Sequence, residues 1–129
     1  MSEWDWSRVI VDHVHVRASD PAASLRFYAA VMGALEIPPL WESGDGTQWA
    51  NLVVTAGEEP TTGLHLAFVA RTQEEVHAFH AAGLAAGGRD NGAPGERDEY
   101  SSEAAGRYYA AFLLDPDGNN VEAVHRADW

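Results

Sequence analysis

The chain has 129 residues, 46% of them hydrophobic and 22% charged, which is the make-up of one ordinary domain whose core needs neither disulfide nor structural metal. It contains no cysteine, so thiolate nucleophiles and thiolate metal sites are excluded; no apolar run reaches the ~18 residues of a membrane span, and the polar, acidic start from Met1 to Ser7 does not read as a signal peptide, the pattern expected of a cytoplasmic protein. Eight basic residues, all arginine, face twenty acidic ones for a net charge of −12, a balance that repels nucleic-acid phosphates and anionic membranes and is compatible with a cationic ligand.

Val11 to Ala18 alternates, with Val14, Val16 and Ala18 on one face and His13, His15 and Arg17 on the other, as in a half-buried strand. Ser19-Asp20-Pro21 reads as a helix start, Asp20 capping and Pro21 occupying the first position, where its missing N–H costs nothing. Leu25, Tyr28, Ala29 and Met32 follow at helical spacing as an apolar stripe, and Gly33 marks the stop. Leu40-Trp41 and Gln48 to Thr55 are strand-like, separated by the turn Ser43-Gly44-Asp45-Gly46.

The unit recurs about 52 residues later, pairing His13 with His65, Val14 with Leu66, Val16 with Phe68, Ala18 with Ala70 and Phe27 with Phe79. Gly63 to Ala70 alternates, Thr72 and Glu75 have capping-box spacing, and Val76, Phe79 and Gly83 line a helix that ends near Gly87-Gly88. A long stretch rich in glycine and charge, Gly88 to Gly106, reads as a loop. Tyr108 to Leu114 and Asn119 to His125 then form a hairpin closed by Pro116-Asp117-Gly118, with Gly118 where a positive φ is needed. The pattern predicts one α+β domain over residues 1–129, made of two βαβββ modules (about 9–57 and 63–126). Together they form a cupped mixed sheet with the helices on its outer face and a polar pocket on the other.

The hairpin count sets Asp115 against Asn119 and Phe112 against Glu122, so Glu122 shares a face with Val124, Phe112, Ala110 and Tyr108. The opposite face, Val121, Ala123, Leu113, Ala111 and Tyr109, suits the helices. Glu122, His13 and His65 all project to the non-helix side. Two imidazoles and one carboxylate on a cage with open positions make a divalent-metal site, for Fe, Mn, Ni or Zn, with room for water or substrate.

Asp12-His13-Val14-His15-Val16-Arg17-Ala18-Ser19-Asp20, Phe27-Tyr28, Gly63-Leu64-His65-Leu66-Ala67-Phe68 and Leu114-Asp115-Pro116-Asp117-Gly118-Asn119-Asn120-Val121-Glu122 together resemble the vicinal oxygen chelate superfamily, which groups glyoxalase I, fosfomycin-resistance proteins, extradiol dioxygenases and bleomycin-resistance proteins. The resemblance covers nearly the whole chain. It implies paired βαβββ modules, often dimeric and usually cupped around one metal, with the family's ligands falling on His13, His65 and Glu122. Asn91-Gly92-Ala93-Pro94-Gly95 with Tyr108-Tyr109-Ala110-Ala111-Phe112 looks most like single-domain bacterial members of unassigned activity, so the resemblance fixes the scaffold better than the reaction. Glyoxalase I supplies a glutamate from the closing strand of its first module. Gln48-Trp49-Ala50-Asn51-Leu52-Val53-Val54 holds no acid, and Asn51 reads as a solvated strand residue.

Around these ligands, His15 and Arg17 share the inward face with His13, and Arg17 has the fork to hold a carboxylate or phosphonate. Tyr108 is a candidate general acid or hydrogen-bond donor beside Glu122, or else an amphipathic wall residue, and Phe112 is a candidate substrate contact. Arg97 and Tyr100, in the long stretch before the last hairpin, are candidate substrate contacts. His77 and His80 read as a solvent-facing pair on the second helix, His125 as structural, and Trp4, Trp6 and Trp129 as packing of the tails. The expected function is a metal-dependent enzyme, a lyase or oxygenase, acting as a homodimer on a small molecule with neighbouring oxygens. The alternative is a non-catalytic protein that sequesters a cationic ligand.

Overall fold

A computed structural model describes residues 7–127, so Trp4, Trp6 and Trp129 lie outside the described residues. Strand β1 (Val14–Ala18) leads into helix α1 (Pro21–Ala34), followed by β2 (Pro39–Glu42), β3 (Gly46–Trp49) and β4 (Leu52–Ala56). The second module repeats the order as β5 (His65–Val69), α2 (Gln73–Ala85), β6 (Arg89–Glu96), a 3-10 turn (Asp98–Tyr100), β7 (Tyr108–Leu114) and β8 (Asn120–Arg126). Each module makes its own four-stranded mixed sheet, in the orders β1-β4-β3-β2 and β5-β8-β7-β6, with β1 parallel to β4 and β5 parallel to β8.

The helix starts form as their sequences dictate. The Asp20 carboxylate accepts from Ala23 N at 3.2 Å, and Thr72 Oγ1 accepts from Glu75 N at 3.1 Å. Glu75 reaches back to Arg71 N at 2.8 Å, one residue outside the usual capping box, and ion-pairs with the Arg71 side chain. The stripe on α1 is rotated from expectation. Ser24, Phe27, Tyr28, Val31 and Met32 are buried while Ala29 is exposed, because the large side chains, not the small alanines, choose the core face. The helix also runs past Gly33, and the left-handed residue beyond its end is Glu36, at φ 59°. On α2 the buried residues are Val76, Phe79 and Gly83, as the sequence predicts.

Two strands differ from the sequence reading. Gln48 to Thr55 is not one strand but the tight hairpin β3–β4, turning at Ala50, which takes φ 46° without the usual glycine. The glycine-rich stretch is not all loop, since its first half is β6. That strand is an edge with two bulges, between Asp90 and Gly92 and between Gly92 and Gly95, so Pro94 is tolerated in it.

A single apolar cluster joins the modules: Val16, Ala18, Leu52 and Val54 from the first sheet, Ala111, Leu113, Val121 and Ala123 from the second, with Phe27, Tyr28, Val31, Met32, Val76 and Phe79 of the helices. The last hairpin is tied to this core by polar groups. Asp115 and Asn119 are fully buried; Asp115 accepts from Tyr28 OH at 2.6 Å, from Asn119 N and Asp117 N at 2.9 Å, and from Asn119 Nδ2 at 3.0 Å. Asn119 also donates to Thr61 O at 2.8 Å and accepts from Leu64 N at 3.0 Å, so the connection between modules is held by the same turn. Burial, and then the Asp115 carboxylate, push the Tyr28 phenol well above its ordinary range.

Candidate functional site

With the main apolar faces turned to the helices, each sheet keeps a second face, and on the second sheet that face carries a smaller apolar cluster of Tyr108, Ala110 and Val124 with Phe112. On the second sheet, parallel β5 and β8 set Ala67 against Glu122 and antiparallel β7 sets Phe112 against Glu122. His65, Ala67, Glu122, Phe112 and Tyr108 therefore share one face, as the hairpin count predicts for Glu122, Phe112 and Tyr108 and the alternation of residues 63–70 for His65. His65 Nε2 donates to Glu122 Oε1 at 2.5 Å, and Tyr108 OH donates to Glu122 Oε2 at 2.6 Å. Glu122 is only 1% exposed, while the His65 side chain is 56% exposed. A carboxylate is thus held at the floor of an open face, both oxygens fixed by donors, with an imidazole standing over it toward solvent. Burial, followed by the hydrogen bond to Glu122, raises the Tyr108 phenol above its usual range, so it stays a proton donor at neutral pH.

The residues beside this pair extend the face. The His65 and Phe112 rings lie 6.3 Å apart, the Tyr100 and Tyr108 rings 5.2 Å apart, and the Arg126 guanidinium stacks 4.6 Å from the Tyr108 ring centre. Arg97 lies 5.3 Å over Phe112 at a cleft of about 270 Å³. Arg126 was not singled out in the sequence; its register opposite Tyr108 was the available signal.

The first module's open face is separate. His15 Nε2 is hydrogen-bonded to Thr55 Oγ1 at 2.7 Å, and the Arg17 side chain packs beside Gly57, where a Cβ would fall 2.8 Å from Arg17 Cβ. The two strand registers give Leu52 and Val121 the same address, so Val53 stands where the second module has Glu122, and the missing acid of the first module is this position. His13 lies just before β1 rather than in it, with Nδ1 2.8 Å from its neighbour Asp12. The structure brings His65 and Glu122 together but does not place His13 with them. Among the described residues of one chain, no three His, Cys, Asp or Glu side chains are grouped to hold a metal.

The other histidines have structural partners. His77 is hydrogen-bonded to Tyr109 OH at 2.6 Å and His125 donates to Ala70 O at 3.1 Å. His80 is not solvent-facing as expected: its side chain is 12% exposed and donates to Asp90 at 2.9 Å, because α2 lies close over β6.

A duplicated βαβββ unit with the helices against one side of the sheets and a buried glutamate on the other side, on the last strand, defines a paired-module scaffold. The chain belongs to the glyoxalase/bleomycin resistance protein/dioxygenase superfamily, whose family model matches residues 10–123. It is 37% identical to a glyoxalase/bleomycin resistance protein from Albidiferax ferrireducens T118, with 89% of this chain and 98% of that one covered at a TM-score of 0.76. The fold is shared with a glyoxalase-related enzyme from Fulvimarina pelagi (20% identity, 93% and 90% covered, TM-score 0.70) and with a lactoylglutathione lyase from Agrobacterium tumefaciens (17%, 95% and 97%, 0.64). No curated protein matches the chain.

Proposed function

We propose that the chain is a metal-dependent small-molecule enzyme of the vicinal oxygen chelate type, a lyase or oxygenase, working on the open face of the second module. The observation that carries this reading is Glu122: a carboxylate removed from water at the base of an accessible face, beside an accessible imidazole. Burying such a group costs several kcal/mol, roughly, unless cations or donors meet it, and here the His65 imidazole and the Tyr108 phenol meet it on the face turned away from the helices. The donor set fits a divalent metal, since imidazole nitrogen and carboxylate oxygen together suit Fe, Mn, Ni or Zn. His65 and Glu122 would hold it, and the metal supplies Lewis-acid stabilisation to neighbouring oxygens of a substrate.

The third ligand is His13 from a second copy of the chain, in a homodimer. The segment that carries it supports this: Val9, Ile10 and Val11 are 78%, 67% and 48% exposed, an apolar stretch left uncovered beside a histidine. In that assembly His15 and Arg17 face the substrate from the partner's first module. Tyr108 keeps Glu122 oriented through Oε2 and, protonated at neutral pH, would serve as a proton donor beside it.

The test is elemental analysis after anaerobic loading with Fe, Mn, Ni or Zn. His65→Ala, Glu122→Gln and His13→Ala should each lose the metal, and mixing the His13→Ala and Glu122→Gln chains should restore part of it, because a mixed dimer contains one intact set. Metal content indifferent to His65→Ala and Glu122→Gln would refute the metal reading; failure of the mixture to recover metal would refute the shared site.

A further inference from the structure

We propose that the cleft beside His65 takes the carboxylate or phosphonate end of a small organic anion, with Arg97 as the group that binds it. The inference rests on the reading of this face as a small-molecule site and adds the charge of the ligand. Within a chain of net charge −12, the described arginines Arg71 and Arg107 are ion-paired to glutamates. Arg97 is not. Its Nη2 donates to Ala93 O at 2.7 Å and its Nη1 to Glu96 O at 3.4 Å, so neutral carbonyls hold the guanidinium in place and leave its charge uncompensated. Glu99 lines the same cleft but makes no ion pair with Arg97.

The backbone is shaped around this side chain. The Arg97 guanidinium sits 5.3 Å from the Phe112 ring centre, and the two bulges of β6 set glycines beside both side chains. A Cβ at Gly92 would fall 2.9 Å from Phe112 Cδ1 and 3.3 Å from Arg97 Nη2, and one at Gly95 would fall 3.2 Å from Arg97 Nη1. Gly92 also takes φ 152°, which side-chain-bearing residues rarely adopt. Bulges re-aim side chains near sites, and here they seat a cation on an aromatic ring at a cleft wall. The guanidinium fork matches a planar carboxylate or a phosphonate. Asn91 and Asn120, joined through Asn91 Nδ2 to Asn120 Oδ1 at 3.2 Å, add amide groups to the same wall. Phe112 also borders His65, so an anion seated on Arg97 has its next few atoms directed over Phe112 toward the His65–Glu122 pair. The same cation makes the cleft a poor receiver for a cationic ligand, the alternative read from net charge alone.

The experiment uses four one-ring probes of similar size, benzoate, phenylphosphonate, benzamide and benzamidinium, titrated into metal-stripped full-length protein by NMR. Benzoate or phenylphosphonate should shift the Arg97 Nε–H and Phe112 resonances, and the stronger of the two tells carboxylate from phosphonate. Arg97→Gln should weaken that binding at least tenfold and Arg97→Lys by less, whereas Arg26→Gln, which removes an equal charge elsewhere, should leave it unchanged. Tighter binding of benzamidinium, no shift at Arg97 and Phe112 with either anion, or anion binding indifferent to Arg97→Gln would overturn the proposal. Because the probes are read without metal, anion binding through Arg97 in a protein that takes no metal would sink the metal reading and leave this one standing.

Discussion

Asp115→Ala tests the polar knot that joins the modules. The substitution removes the acceptor of Tyr28 OH and of Asn119 N, both buried, and of the part-buried Asp117 N; Asn119 Nδ2 keeps Thr61 O. Two buried donors left without partners cost about 1–3 kcal/mol each, so the loss should be about 4 kcal/mol, a large part of the roughly 5–15 kcal/mol that a domain possesses. Tyr28→Phe removes one donor and leaves Asp115 its backbone and amide donors, so it should cost about 1.5–3 kcal/mol, the worth of one hydrogen bond to a charged group. The two cannot add. Once the carboxylate is gone the phenol is itself an orphan, and deleting it relieves rather than adds to the penalty, so the double variant should be at least as stable as Asp115→Ala alone. Urea unfolding at neutral pH, monitored by tryptophan fluorescence, gives all four free energies. Asp115→Ala costing no more than Tyr28→Phe, or a double variant whose loss is the sum of the singles, would refute the assignment of this turn as the clasp.

Gly83→Ala should destabilise despite alanine's better helix propensity, because the added Cβ overlaps Leu113 Cδ1 and lies 3.1 Å from Val31 Cγ1; overpacking of about 1–3 kcal/mol should exceed the ~1 kcal/mol helix gain, read as a lower urea midpoint. Gly92→Ala should leave the fold assembled but displace Phe112 and Arg97, lowering benzoate affinity without changing metal content. For Glu75, burial raises the carboxyl but the hydrogen bonds and charge of Arg71 outweigh it, so its pKa is held below the usual carboxylate range. A depressed folded pKa gives stability that is present above the unfolded value and is lost as pH falls through the folded one. Glu75→Gln should therefore flatten the acid limb of a plot of melting temperature against pH, and a limb unchanged by the substitution would contradict that account.

Features that depend on local chemistry were readable along the chain. The 115–119 turn, the Asp20 and Thr72 caps and the β7–β8 register all follow from neighbouring residue types, and that register carried Glu122 and Tyr108 to the same face. Where several solutions satisfy the same pattern, the sequence reading failed. Apolar residues at 25, 27, 28, 29, 31 and 32 permit more than one helical face, and only packing selects the one with Phe27. The β3–β4 turn carries no glycine, so nothing local marks Ala50 as left-handed. Strand β6 was hidden by its glycines and proline, which a central strand would reject and an edge strand accepts. For His13, alternation gives the side of a strand but not what that side meets.

The apolar cluster that joins the two sheets through α1 and α2 has a consequence for how such a molecule can arise. Either half alone would present a bare greasy helix, and the most available cover of the right shape is another copy of itself. A chain of one such module would therefore be driven to pair with a second copy through that surface, and carrying both modules in one chain makes the pairing independent of concentration. With the pairing fixed, equivalent positions of the two halves need not match, as Val53 and Glu122 show.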